Sequence, residues 1–369
     1  MIKCRYFPKC NACSLWDKPY EQQKEDKISA FITLLRNLNI NYSNEIKFLS
    51  SGQYGLRHKA DFGSEYIENE AVYKFGYYDD SGRILDISEC LQYSPELQSI
   101  FTLFLKHPYP KDLKINKSSV RIRVGPNNQK GLWLDMANSD IKKILDEKNY
   151  LISLIKEGFV IELGQRKKIL TFVDDKLKLK EPEVRVWFKT WDDQDIEHEL
   201  FCHISSFTQP SWTSGRLLIQ ELRSTLKKNN PKHIVEFGAG IGFFSKLLSN
   251  AGAKLTILEV DQSSILPLKK NLSDRLEKID IKIGNYHKEK FLLSHDFAFV
   301  NPARSGLKNF AHDLTNALPE RVAYVSCFPD SMVSDLQILS SKYEICNISI
   351  IDQFPQTRHY EVFCELKRI

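Results

Sequence analysis

The sequence predicts an α/β fold: a doubly wound C-terminal domain over residues 207–369, preceded by a cysteine-bearing segment with short strands (1–95) and a β-rich centre (96–206). Three observations predict it. From about residue 207 helical and strand-like patterns alternate, as a parallel sheet requires. Within that stretch the apolar run Ile234-Val235-Glu236-Phe237 leads directly into Gly238-Ala239-Gly240-Ile241-Gly242. Three of the eight cysteines, Cys4, Cys10 and Cys13, lie within the first thirteen residues.

The cysteines come first. Two thiolates separated by two residues can face one ion from a tight turn, and a third five residues upstream can close from a short loop. Cys90, in Ser88-Glu89-Cys90-Leu91-Gln92, is the candidate fourth ligand. The plain alternative is a set of free or disulfide-bonded cysteines. Disulfides are disfavoured because the N-terminus lacks the apolar core of a secretory signal. No apolar run approaches 18 residues, so no membrane span is expected and the cytoplasm is the expected compartment. Composition, 42% hydrophobic and 27% charged, is that of a soluble globular protein. A net charge of +5 is only weak evidence for a polyanionic partner.

Residues 20–39 read as a helix, with Ile28, Phe31, Ile32, Leu34, Leu35 and Leu38 along one side. Residues 45–88 read as short strands separated by turns such as Asp79-Asp80-Ser81-Gly82, and a helix is expected over 94–106, ended by Pro108 and Pro110. Over 118–206 strands dominate; Val120-Arg121-Ile122-Arg123-Val124 alternates strictly. Basic residues gather here (Arg166, Lys167, Lys168, Lys176, Lys178, Lys180), with Trp187, Phe188 and Trp191 nearby. Charge for phosphates and flat faces for unstacked bases suit RNA. A half-buried antiparallel sheet with a charged outer face explains the same pattern.

In the C-terminal domain the glycines let the chain turn sharply and approach a ligand, and a helix is expected over 242–250. The next strand, Leu255-Thr256-Ile257-Leu258, ends at Glu259, about 20 residues after the first glycine, where a carboxylate would accept from ribose hydroxyls. Gly-x-Gly-x-Gly fits S-adenosylmethionine better than a dinucleotide. A second apolar strand, Phe297-Ala298-Phe299-Val300, leads to Asn301-Pro302-Ala303-Arg304-Ser305-Gly306, and a third, Val322 to Ser326, ends just before Cys327. Catalytic groups in open α/β sheets gather at such strand ends, so Cys327 is a candidate nucleophile; a small buried thiol is the plain alternative.

Taken together, Cys4-x5-Cys10-x2-Cys13 with Cys90, Ser206-Phe207-Thr208-Gln209, Glu236 to Gly242, Asn301 to Gly306, Val325-Ser326-Cys327 and Thr357-Arg358-His359-Tyr360-Glu361 run collinearly along the chain. In this the sequence resembles the uracil-5-methyltransferases of structured RNA, most closely the iron–sulfur-containing 23S ribosomal RNA branch. The resemblance implies a Rossmann-like class I methyltransferase domain. It implies Cys327 as nucleophile and Glu361 as the base for the C5 proton. It places Gln209, Phe237, Gly238, Gly240, Glu259 and Asn301 around S-adenosylmethionine, and a [4Fe–4S] cluster on Cys4, Cys10, Cys13 and Cys90. The expected partner is 23S ribosomal RNA and the expected state a monomer. The chain has no room before Cys4 for the N-terminal RNA-binding barrel of some relatives. Three positions depart from the family pattern: Ala303 where a second proline is usual, Phe328 where asparagine commonly follows the nucleophile, and Glu236 where aspartate is frequent. Transfer to tRNA uridine, radical chemistry at the cluster, a zinc site, and a non-catalytic RNA-binding role are the competing expectations.

Overall fold

The structure is a computed structural model that describes residues 2–113, 115–137, 139–165, 168–173, 178–284 and 295–369. Arg166, Lys167 and Lys176 of the expected basic cluster lie outside the described residues. In chain order the strands are β1 (Lys47–Ser50), β2 (Lys59–Ile67), β3 (Val72–Tyr78), β4 (Ile84–Asp86), β5 (Lys117–Val124), β6 (Lys130–Asp135), β7 (Phe159–Gln165), β8 (Lys168–Val173), β9 (Lys178–Lys180), β10 (Arg185–Trp191), β11 (Glu197–Cys202), β12 (His233–Phe237), β13 (Lys254–Glu259), β14 (Ile279–Ile283), β15 (Phe297–Val300), β16 (Arg321–Ser326), β17 (Tyr343–Asp352) and β18 (Glu361–Arg368). The helices are α1 (Tyr20–Asn37), α2 (Pro95–Leu105), α3 (Ile141–Asp146), α4 (Lys148–Lys156), α5 (Trp212–Asn229), α6 (Ser245–Asn250), α7 (Gln262–Asn271), α8 (Phe310–Ala317) and α9 (Pro329–Leu339).

Contacts divide the chain into two units that interleave in sequence. The first is Met1–Asp17, Gly52–Phe188 and Cys202–Ser211; the second is Lys18–Ser51, Lys189–Phe201 and Trp212–Ile369. The sequence suggested three consecutive stretches with boundaries near 95 and 206. Instead α1 and β1 leave the N-terminal stretch for the second unit, where β1 joins the C-terminal sheet.

The first unit is built on the sheet β4-β3-β2-β5-β6-β7-β8-β9, antiparallel except for the β6–β7 pair. The β6–β7 crossover carries α3 and α4, so the centre is less purely strand-like than its sequence suggests. In β5, Val120, Ile122 and Val124 are buried as the alternation requires, but Arg123 is buried too, 1% exposed. Its guanidinium donates to the Ser206 carbonyl at 2.6 Å and faces the Cys202 sulfur at 3.2 Å, which offsets the loss of water. Trp187, Phe188 and Trp191 are also buried, at 1%, 2% and 5% exposure. They pack inside the protein, so they offer no free faces to RNA bases. Helix α2 starts as capping rules dictate: the Ser94 hydroxyl accepts from the Leu97 N–H and Pro95 takes the first turn.

The second unit carries the sheet β1-β17-β18-β16-β15-β12-β13-β14. From β14 to β16 every pair is parallel; β18 inserts antiparallel between β16 and β17. Strand order reverses between β12 and β15, flanking the crevice where ligands bind in such sheets. The central strands are apolar because both faces are covered: Phe297, Ala298, Phe299 and Val300 are all 0% exposed. Helix α1 forms where its periodicity predicts. Phe31 and Leu35 enter the core with Ile28, Ile32, Leu34 and Leu38 packed behind them.

Candidate active site

The glycine loop sits at the end of β12, beside the start of the loop that follows β15. Gly238 has φ +75°, and a Cβ there would lie 2.7 Å from the Asn301 carbonyl oxygen, so only glycine fits. The Asn301 N–H returns a bond to the Phe237 carbonyl at 3.2 Å, joining the two loops across the switch point. Gly240, at φ +57°, faces open space instead. The loop needs an extra turn after Gly242 (φ +92°), so α6 begins at Ser245, later than the expected 242.

Glu259 ends β13 with its carboxylate fully oriented. One oxygen accepts from the Gly240 N–H at 2.6 Å; the other accepts from Val260 and Asp261 N–H at 2.8 and 2.7 Å. It therefore locks the glycine loop to the neighbouring strand. The oxygen that accepts from Gly240 keeps a lone pair for a further donor such as a ribose hydroxyl. Phe237 contributes only backbone here, because its ring packs on Phe310 with centroids 4.3 Å apart. Gln209 is buried in the first unit. Glu236 is the penultimate residue of β12 and is 0% exposed. Burial, helped by the Glu259 charge, pushes its carboxyl up to about 8 despite the opposing Ser245 hydroxyl.

Cys327 follows β16 directly and Glu361 opens β18, the strand paired with β16. The two interact. Burial first, and then the charge of Glu361, raise the Cys327 thiol, while the Arg304 charge lowers it. Burial pushes Glu361 up to about 7, again with Arg304 opposing. Arg304 comes from the loop after Asn301, so three of the predicted segments converge. Cys327 also lines a cleft of ≈ 740 Å³ with Phe328, Pro329 and Asp330, with Arg358, His359 and Tyr360, and with Asp26, Ser29, Ala30, Thr33 and Leu34 on one face of α1.

Sequence reasoning missed that helical wall and its anchoring. Lys27 donates from α1 to Asp352 at 2.8 Å, in an ion pair with side chains 2% and 0% exposed, and Tyr20 donates to the same carboxylate at 2.9 Å. Gln23 and Gln356 exchange hydrogen bonds of 2.8 and 3.0 Å. The Phe31 ring meets Tyr360 edge-on at 6.4 Å. All grip the turn leading to Glu361. Asp335 was also missed. It accepts from Leu307 N–H and Tyr324 OH at 2.7 and 2.6 Å, pinning the loop that carries Arg304. An acid inside a helix carries no local signal of that role.

In the first unit the cysteine segment is tied down by Ser88 N–H to Tyr6 OH (2.8 Å), Asn11 N–H to the Tyr78 carbonyl (3.0 Å) and Trp16 Nε1–H to the Ile2 carbonyl (2.8 Å). Cys4, Cys10, Cys13 and Cys90 are free thiols within electrostatic range of one another. Burial pushes Cys13 up to about 12 and Cys90 to about 11, and the Arg57 charge opposes both. Among the described residues, however, no three His, Cys, Asp or Glu side chains close into a group that could hold a metal ion.

Residues 268–369 match the family model described as tRNA (Uracil-5-)-methyltransferase. An uncharacterized RNA methyltransferase of Bdellovibrio bacteriovorus is 35% identical over 382 residues, which cover 100% of this chain and 95% of that protein. The chain belongs to the RNA uracil-C5 methyltransferase family. Members of this family similar to it act, by name, on different RNAs. A tRNA/tmRNA (uracil-C(5))-methyltransferase of Nautilia profundicola is 24% identical over 100% of both chains. A 23S rRNA (uracil(1939)-C(5))-methyltransferase of Shewanella woodyi is 23% identical, covering 97% of this chain and 80% of that one. Among solved structures, the tRNA (uracil-54, C5)-methyltransferase of Pyrococcus abyssi has the same fold, with TM-score 0.70, 18% identity, and coverage of 97% of this chain and 86% of that one. No helix of the described residues is long and apolar enough to cross a membrane.

Proposed function

We propose that this S-adenosylmethionine-dependent enzyme methylates C5 of a uridine in 23S ribosomal RNA through a covalent adduct on Cys327. Uracil C5 is too weak a nucleophile to take a methyl group unaided. Cys327 adds as thiolate to C6, which moves electron density to C5. The donor supplies an electrophilic methyl group, held by the glycine loop, Glu259 and Asn301. After C5 has taken the methyl, Glu361 removes the C5 proton and the electron pair expels the thiolate, restoring the ring. The observation that carries this reading is the placement of Cys327 and Glu361 at adjacent strand ends, with Cys327 lining an open cleft. The target base must leave its stack to enter, which favours a loop uridine.

Four thiols within electrostatic range of one another are the ligand type of a [4Fe–4S] cluster, although among the described residues they do not close into a metal-holding group. Cys4, Cys10, Cys13 and Cys90 would hold it, and bound there it would cross-link the N-terminal segment. That set and the ribosomal RNA relative favour 23S RNA. The family-model description and the full-length tRNA/tmRNA relatives favour a second reading, a tRNA uridine. Total RNA from a strain lacking the enzyme, incubated with protein and methyl-labelled S-adenosylmethionine, decides between them. 5-Methyluridine should appear in 23S RNA. Label in tRNA would establish the second reading, and label absent from C5 of uridine would overturn both.

A further inference from the structure

We infer that Phe328, the residue after Cys327, is a stacking platform for the nucleobase flanking the target uridine and sets which RNA segment the cleft accepts. The inference rests on Cys327 being the nucleophile. Phe328 occupies the N-cap of α9, where Ser, Thr, Asp or Asn would satisfy an orphan backbone donor. Its side chain makes no such bond. Neighbouring hydroxyls bond only the Phe328 backbone, Ser326 accepting from its N–H at 3.1 Å and Ser331 donating to its carbonyl at 3.0 Å, and neither replaces the cap. The phenyl ring is not recruited to the core either, since Phe328 is 41% exposed and lines the cleft beside Cys327, Arg358 and His359. A large apolar ring placed against both capping preference and burial, one residue from the reacting sulfur, has a local cost that a function must offset. A flat face in a cleft open to single-stranded RNA serves to stack a base. Arg358 at the same cleft supplies positive charge for the adjoining phosphate.

The test uses the full-length protein and total RNA from a strain lacking the enzyme, comparing Phe328→Tyr, Phe328→Leu and Phe328→Asn. Phe328→Tyr keeps the flat face and should stay within about two-fold of wild type. Phe328→Leu and Phe328→Asn should raise the apparent KM for RNA on the order of ten- to a hundred-fold, the size of one base–aromatic stack. Affinity for S-adenosylhomocysteine should not change. Phe328→Asn restores a capping side chain, so it should melt at or above the wild-type temperature while binding RNA worse. A wild-type KM in either the Leu or the Asn variant, or a lowered melting temperature in the Asn variant, would overturn the inference. Cys327→Ala, run alongside, separates the two ideas. Residual methylation removes the nucleophile assignment; an inactive Cys327→Ala with unimpaired Leu and Asn variants removes only the stacking role.

Discussion

Burial would set the working range of Glu361 as the proposed base. Its carboxyl is pushed up to about 7 by loss of water, with the Arg304 charge holding it back. Only the ionised form can take the C5 proton, so release of methylated RNA in a single turnover should rise with pH along a limb centred near 7. A profile flat between about pH 5.5 and 8.5 would contradict this. The same shift acts on stability with the opposite sign. A carboxyl whose folded value exceeds its unfolded one near 4.5 stabilises the fold below that value, and the contribution is lost as pH rises through about 7; for Glu236 the loss runs through about 8. Activity and stability therefore trend against each other in the neutral range. That Cys327 and Glu361 stand at strand ends was legible in the sequence, because each lies in a motif beside an apolar run. The counterweight of Arg304 was not, since it depends on which loop ends meet in space.

At the scale of elements, α1 anchors the turn that leads to Glu361, the proposed base. It was readable as a helix from its apolar stripe, yet that stripe is blind to the polar residues that dock it. Lys27 and Gln23 fall between the apolar positions and look like solvent-facing residues, but they are 2% and 1% exposed. Burial lowers the Lys27 ammonium from its ordinary value, and Asp352 counters that loss. Removing one partner leaves a buried charge unmatched, so Lys27→Met should destabilise the protein by about 3–5 kcal/mol, whereas Lys27→Met with Asp352→Leu should recover most of that. Denaturant melts of the two variants and wild type measure it. Equal losses in the single and double variants would mean the pair does not anchor α1. The glycine loop is the contrary case: Gly238 was legible as a position needing glycine, and the 2.7 Å that a Cβ would leave to the Asn301 carbonyl gives a structural reason.

For the whole molecule, the doubly wound sheet was legible because β12, β13, β15 and β16 are short apolar runs with signals at their ends. The division into units was not. β1 pairs in parallel with β17, Lys47 against Ser349, and no local pattern announces a partner so distant in sequence. The aromatics of β10 misled for a related reason: composition cannot tell a buried Trp187 from one offered to RNA. The cysteine segment remains the part where sequence and geometry diverge, with four thiols gathered but not closed. Anaerobically purified protein should carry iron and sulfide, and Cys90→Ala should lose both along with N-terminal protection from proteolysis. Full iron in Cys90→Ala would remove it from the ligand set, and zinc instead of iron would replace the cluster reading.

The covalent adduct tests the central claim most directly. In Glu361→Gln, addition and methyl transfer remain possible but the C5 proton stays, so the protein should accumulate bound to RNA. RNA containing 5-fluorouridine should trap wild type in the same way. Denaturing gels followed by peptide mass mapping should place the nucleotide on Cys327, and Cys327→Ala should give no adduct. Failure of both traps, or an adduct on another residue, would contradict the account.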